Sequence, residues 1–205
     1  MISGKSSLLL TIFGLLPLRS GSIEIDSSSI ATTPRSILRS QLNIIPQEPT
    51  IFPGSVRLNA VSHLFSPHPS LDDSIISALQ EVNLWETILS RGGLDADMSD
   101  LLLSQGQKQL FCLARALLKR DLSPILFLDE ATSNLDSQTD DLMQKVIREQ
   151  WSNHTVIAVA HRLGSVIDFD KIAVLDRGRL IEFDAPQRLL EKEGGSFKEL
   201  YNSQV

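Results

Sequence analysis

The sequence has little cysteine, few aromatics, no basic block and no apolar run long enough to cross a bilayer. A single cysteine, Cys112, stands among 205 residues, which excludes an internal disulfide and fits a reducing compartment. Its neighbours are apolar and helical in pattern, so it reads as a packed, inert thiol rather than a nucleophile. Lys and Arg number 19 against 25 Asp and Glu and never cluster, which argues against a nucleic-acid groove or a membrane-surface helix. The longest apolar stretch, Leu8 to Leu18, is interrupted by Thr11, Gly14 and Pro17 and is too short for a membrane span. No repeat or low-complexity tract occurs. The 42% hydrophobic and 21% charged content is ordinary for a soluble globular protein, with enough chain for one sizeable core and a small subdomain.

The stretch Pro124 to Asp136, P-I-L-F-L-D-E-A-T-S-N-L-D, organises the rest. Ile125 to Leu128 form an unbroken apolar run, as a strand buried on both faces does in a parallel sheet. Asp129 and Glu130 follow at its carboxyl end, where open α/β sheets place their ligands. Two carboxylates so close repel unless a cation holds one and the other faces a proton to be taken, conditions that a Mg²⁺-phosphate site supplies. A strand ending in a polar turn fits the stretch equally well.

Gly4-Lys5-Ser6 is the closing triplet of the phosphate-binding pattern G-x-x-x-x-G-K-[ST], with the apolar stretch behind it as the helix that such a loop opens. Backbone N–H groups at a helix start cradle phosphate, a lysine reaches the terminal phosphates and a serine hydroxyl binds Mg²⁺. Ser22 to Ile25 reads as a short strand, and Thr33-Pro34 as a helix start with threonine as cap. Leu42 to Ile45 reads as a buried strand ending at Pro46-Gln47, and the segment through Gly54 and Ser55 as a turn into a short helix. Ser70 to Val82 has a helical pattern with Ser70 as cap and Asp72 and Asp73 in the first turn. Trp85 continues that apolar surface, and Arg91 to Ser99 reads as an exposed loop. Ser104 is a natural N-cap for a helix with an apolar face at Leu110, Leu113, Ala114, Leu117 and Leu118. A start of the form S-x-G offers N–H groups and a hydroxyl to an anion. Ser137 to Trp151 reads as a charged amphipathic helix, and Thr155 to Ala160 as a third buried strand with His161 at its end. His63, His68 and His154 have no such setting. D-R-G-R between Ile172–Asp176 and Leu180–Phe183 marks a hairpin, and short helices follow Pro186 and surround Phe197. Alternating strands and helices imply a mainly parallel α/β sheet.

In order, G-K-S-S (Gly4 to Ser7), strand-end Gln47, L-S-Q-G-Q (Leu103 to Gln107), L-F-L-D-E (Leu126 to Glu130), S-N-L-D (Ser133 to Asp136) and His161 strongly resemble the nucleotide-binding domain of ABC transporters. The wording of Q-K-Q-L-F-C-L-A-R-A-L-L and G-R-L-I-E-F-D-A-P is most similar to the second such domain of fungal C-subfamily, multidrug-resistance-associated exporters. The resemblance implies a P-loop NTPase fold: one ATP-binding domain over 1–205, with a helical subdomain at about 55–120 carrying the signature motif. Its implied ligands are ATP and Mg²⁺. Gly4, Lys5, Ser6 and Ser7 would bind nucleotide; Ser6, Gln47 and Asp129 would hold the metal. Glu130 would be the general base, with Gln47 and His161 beside it. Ser104, Gln105, Gly106 and Gln107 would address ATP held by an opposite domain, and Asp136 would lie in the loop crossing the same seam. The implied partners are a second nucleotide-binding domain and transmembrane domains, with no nucleic acid, at the cytosolic face of a membrane. Lys5, Gln47, Asp129, Glu130 and His161 are expected to gather around one set of terminal phosphates.

The sequence departs from the family's G-x-x-G-x-G-K loop. Ile2 stands where the middle glycine belongs, and isoleucine is poorly suited to the backbone angles glycine provides. The family's upstream strands have no counterpart, so the expectation is an N-terminally truncated domain that alone binds ATP feebly and hydrolyses it negligibly. Two other readings stand beside the transport ATPase: a non-catalytic remnant or interaction module, and a soluble ABC protein of translation or DNA repair. The acidic balance disfavours the last.

Overall fold

The computed structural model describes residues 4–61, 71–133, 135–160 and 162–204. The chain divides into two compact units, Ser40–Ala158 and the combination of Met1–Arg39 with Val159–Val205.

The Ser40–Ala158 unit is built on a sheet of order β3-β4-β5, comprising Leu42–Ile45 (β3), Ile125–Asp129 (β4) and Thr155–Val159 (β5), whose last residue lies just beyond the unit. β3 and β4 run parallel, with Leu42 opposite Ile125 and Ile45 opposite Leu128. Leu126, Phe127 and Leu128 are all buried, as the unbroken apolar run requires. β5 departs from the sequence reading. Thr155 and Ile157 are exposed, and Val156, Ala158 and Val159 are half-buried; among the described residues β5 stands at the end of the strand order.

Helices surround this sheet: Val56–Ala60 (α3), Asp72–Glu81 (α4), Trp85–Leu89 (α5), Gln105–Lys119 (α6) and Ser137–Gln150 (α7). Ser55 caps α3 by accepting from the Leu58 N–H. α4 keeps Asp72 and Asp73 in its first turn, with Leu71 in the cap position; Ser70, the expected cap, lies outside the described residues. Ile75, Leu79, Leu84, Ile88, Phe111, Leu113, Met143 and Trp151 share one core with Ile45, Leu126 and Leu128.

The Arg91–Ser99 stretch is not the exposed loop that its glycines and acids suggest. Gly93–Asp95 forms a 3₁₀ turn, and Gly93, Leu94 and Met98 are buried. Backbone bonds explain this: the Val56 N–H donates to Ala96 O at 3.0 Å and the Met98 N–H to Gly54 O at 3.0 Å. Arg57 adds a bidentate pair with Asp72 at 2.8 and 3.0 Å and a further bond to Asp95. Three short elements are thereby fastened by one guanidinium.

The other unit contains Lys5–Ile12 (α1), the two-residue strands Glu24–Ile25 (β1) and Ser28–Ser29 (β2), and most of Arg35–Ser40 (α2). It also holds Ile172–Asp176 (β6), Arg179–Asp184 (β7), Pro186–Glu191 (α8) and Ser196–Asn202 (α9). β6 and β7 form the expected antiparallel hairpin, with Arg177 and Gly178 both at positive φ, as a two-residue hairpin turn demands. The β1–β2 hairpin turns on Asp26 and Ser27, also at positive φ; only its first strand was legible. α1 stops at Ile12, so Leu15, Leu16 and Leu18 lie beyond the helix and are exposed. Val166, Val174, Leu189 and Phe197 make a small core of this unit. No helix among the described residues is long and apolar enough to cross a membrane.

Candidate functional site

The parallel register of β3 and β4 builds the centre of the site. Counting two residues on from the Ile45–Leu128 pair sets Gln47 beside Glu130, and the side chains meet: Gln47 Nε2 donates to Glu130 Oε2 at 3.0 Å. Asp129 ends β4, half-buried, and Glu130 follows at φ 48°. The left-handed region costs a non-glycine residue about 1–2 kcal/mol, and such strain collects where geometry serves chemistry. No group of three or more His, Cys, Asp and Glu side chains among the described residues could hold a metal.

The signature stretch lies in the same unit. Ser104 caps α6 with a complete capping box: its hydroxyl accepts from the Gln107 N–H at 3.2 Å, and Gln107 Oε1 accepts from the Ser104 N–H at 3.0 Å. Gln105 is exposed and Gly106 half-buried. A β-carbon at Gly106 would lie 3.4 Å from the Thr139 side chain and 3.7 Å from Asp136 Oδ2. Asp136 caps α7, accepting from the Thr139 N–H at 3.0 Å and the Thr139 hydroxyl at 2.7 Å. Those bonds hold its carboxyl below the usual carboxylate range. The two regions assigned to a dimer seam are therefore neighbours.

Gly4 to Ser7 belong to the other unit. Gly4 occupies the cap position of α1 in the left-handed region, with φ 87°, and a β-carbon there would lie 3.4 Å from the Gly178 Cα. Lys5, half-buried, opens the helix, and exposed Ser6 and Ser7 follow. Helix starts leave N–H groups without intrahelical partners, as a phosphate cradle requires. Ile2 and His161 lie outside the described residues, as do His63 and His68. Of the five residues expected to gather, the structure brings Gln47 into contact with Glu130, and Asp129 precedes Glu130 in the chain.

Sequence reasoning missed the buried polar side chains that hold this region. Asn59 is fully buried, giving its amide hydrogens to Phe52 O at 2.9 Å and Ser55 O at 3.1 Å while accepting from the Phe52 N–H at 2.9 Å. Arg115 donates to Asn59 O at 2.7 Å, bonds Thr50 O, and lies over the Phe52 and Phe111 rings. With Lys119 and Cys112 it lines a cavity of about 180 Å³. Burial lowers the affinity of Arg115 and Lys119 for their protons and pushes the Cys112 thiol up, which leaves the thiol inert.

A family model described as ABC transporter matches residues 3–133. The chain belongs to the ABC transporter family. Its fold is that family's nucleotide-binding domain, a P-loop NTPase fold with a parallel strand pair. The ABC domain is 47% identical over 204 residues to "ABC multidrug transporter B" of Aspergillus fumigatus, covering 99% of this chain and 14% of that protein. It is 44% identical over 200 residues to "ABC transporter C family member 7" of Arabidopsis thaliana, covering 96% of this chain and 13% of that protein. A bacterial Atm1-family ABC exporter, solved with ATP bound, superposes with a TM-score of 0.87 at 32% identity, over 99% of this chain and 35% of that one. The domain thus spans about a seventh of the length of the curated relatives it matches.

Proposed function

We propose that this domain binds and hydrolyses ATP as one half of a head-to-tail pair, driving an exporter whose transmembrane part lies outside these 205 residues. The single domain over 1–205, its helical subdomain at about 55–120, the position as a second nucleotide-binding domain and the cytosolic face of a membrane belong to the same reading. Nucleic acid has no part in it. The observation that carries it is the 3.0 Å bond from Gln47 to Glu130 at the carboxyl end of adjacent parallel strands.

Each residue has a physical task. Lys5 neutralises charge on the β- and γ-phosphates, with Gly4, Ser6 and Ser7 around them. Ser6, Gln47 and Asp129 are the oxygen donors that would hold Mg²⁺. Bound Mg²⁺ supplies neutralisation of phosphate charge. Glu130 takes the proton of the attacking water, and Gln47 orients that carboxylate until the water displaces its amide. His161 steadies charge growing on the γ-phosphate. Ser104 to Gln107, with Asp136, meet the nucleotide of the opposite domain. Ile2, in place of a loop glycine, favours a second reading, an interaction module that has lost nucleotide binding.

The test is a chimera in which this chain replaces its matched stretch in the Aspergillus fumigatus relative. ATP-dependent turnover in membranes should fall about 10²–10⁴-fold with Glu130→Gln, the usual worth of a positioned base. An assembled chimera that binds no ATP would overturn the proposal in favour of the interaction module.

A further inference from the structure

We infer that Gln109 is a positioning residue that holds Gln47 in place, an inference resting on the reading of Gln47 and Glu130 as the hydrolytic pair. Gln109 lies on α6, 1% exposed, and its Nε2 donates to the Pro46 carbonyl at 2.7 Å. A proline carbonyl only accepts, so the amide nitrogen must face it and the orientation of Gln109 is settled. The Pro46 carbonyl and the Gln47 N–H belong to one planar peptide unit, and the proline ring fixes the φ that precedes it. Anchoring that oxygen therefore orients the backbone from which Gln47 departs. Gln47 then spans 3.0 Å to Glu130 Oε2. Two hydrogen bonds link the helix that begins at the Ser104 cap to the carboxylate at the end of β4.

Gln109 Oε1 is buried and has no hydrogen-bond partner among the described residues. An unmet buried acceptor carries a cost that an apolar side chain of equal length would avoid. Packing α6 on β3 does not need this residue either. Asn43 Nδ2 donates to Ala116 O at 2.8 Å and Lys119 Nζ to Leu42 O at 2.5 Å. Both fasten the same helix to the same strand, further from Gln47. Gln109 is the fastening placed beside the site.

Two variants separate positioning from mere support. Gln109→Met keeps length and apolar volume without the donor; Asn43→Leu removes the comparable bond away from the site. In the full chain, hydrogen exchange at the Gln47, Glu48 and Thr50 amides should quicken about 3–10-fold in Gln109→Met, the worth of one such bond, and stay unchanged in Asn43→Leu. In the chimera, Gln109→Met should lower kcat by a similar ~3–10-fold with KM for ATP nearly constant, while Asn43→Leu keeps kcat. If Gln109→Met does not fold, Gln109→Asn, one methylene too short to reach Pro46, carries the same expectations. Equal effects of the two variants on the amides, or none, would overturn the inference. A native chimera without turnover would defeat the functional reading instead, and the exchange measurement would then decide Gln109 alone.

Discussion

Glu130 and Leu102 both hold positive φ, at 48° and 45°, for opposite reasons. Glu130 sits at a strand end where the turn aims a carboxylate at Gln47. Leu102 is 84% exposed, so its side chain gains no packing in return for the strain. Asn tolerates the left-handed region far better than Leu. Leu102→Asn should therefore stabilise the fold by about 1 kcal/mol, read as a higher urea midpoint at unchanged slope; an unchanged midpoint would mean that the strain is relaxed locally. Gly106 gives the complementary case. A β-carbon there meets Thr139 at ordinary contact distance, and alanine is favoured over glycine in a helix by up to about 1 kcal/mol. Gly106→Ala should leave the melting temperature level or raised, yet lower chimera turnover, because the new methyl lies against Thr139 and Asp136, beside the residues proposed to meet the opposite nucleotide. Lost stability with full turnover would rule out that effect.

At the scale of elements, legibility followed the length of the local pattern. β4 was readable because four successive apolar residues suit a doubly buried strand, and α6 because Ser104 offered a cap with Gln107 three residues on, which the structure shows capping it reciprocally. The parallel pairing that sets Gln47 against Glu130 is a register between segments 83 residues apart, which no local pattern encodes. The Arg91–Ser99 stretch failed for the same reason: its order comes from backbone bonds to Gly54 and Val56. Glu182 on β7 is another such case, since its alternation with exposed Ile181 and Phe183 gave no sign of a role. The structure buries it and points Lys192 Nζ at 2.9 Å, the Ser196 N–H at 3.2 Å and the Phe197 N–H at 2.9 Å onto its carboxylate. It is the clasp that seats α8 and α9 on the hairpin. The Lys192 hydrogen bond, ahead of those from the backbone, holds its carboxyl below the ordinary glutamate value of 4.5. A depressed folded value contributes stability that is complete above the unfolded value and lost as pH falls through the folded one. Glu182→Gln should cost about 1–3 kcal/mol at neutral pH and flatten the decline of stability below pH about 4.5. Parallel pH curves for variant and native chain would exclude the clasp.

For the whole molecule, the division into two units predicts unequal resistance to opening. In the Ser40–Ala158 unit, buried side chains from Ile45 to Trp151 form a continuous core that includes Phe111, Leu113, Leu126 and Met143. The other unit buries Val166, Val174, Leu189 and Phe197 together, while Leu180 and Phe183 on its hairpin remain more than half exposed. Local stability follows buried apolar contact, and regions with little of it open first, below the free energy of global unfolding. Native-state hydrogen exchange in rising, sub-denaturing urea should therefore show β6 and β7 amides exchanging through a shallow, low-energy opening. Amides of β4 and α6 should merge with the global transition at a higher energy and a steeper urea dependence. The order has a functional side. Gln47, Glu130, Asp136 and the Ser104 cap all sit on the better-built unit, so their geometry should persist through openings of the other. Exchange at Glu130 should then track β4 rather than β6. A single opening energy shared by β4, α6, β6 and β7 would instead mean that the chain unfolds as one cooperative body.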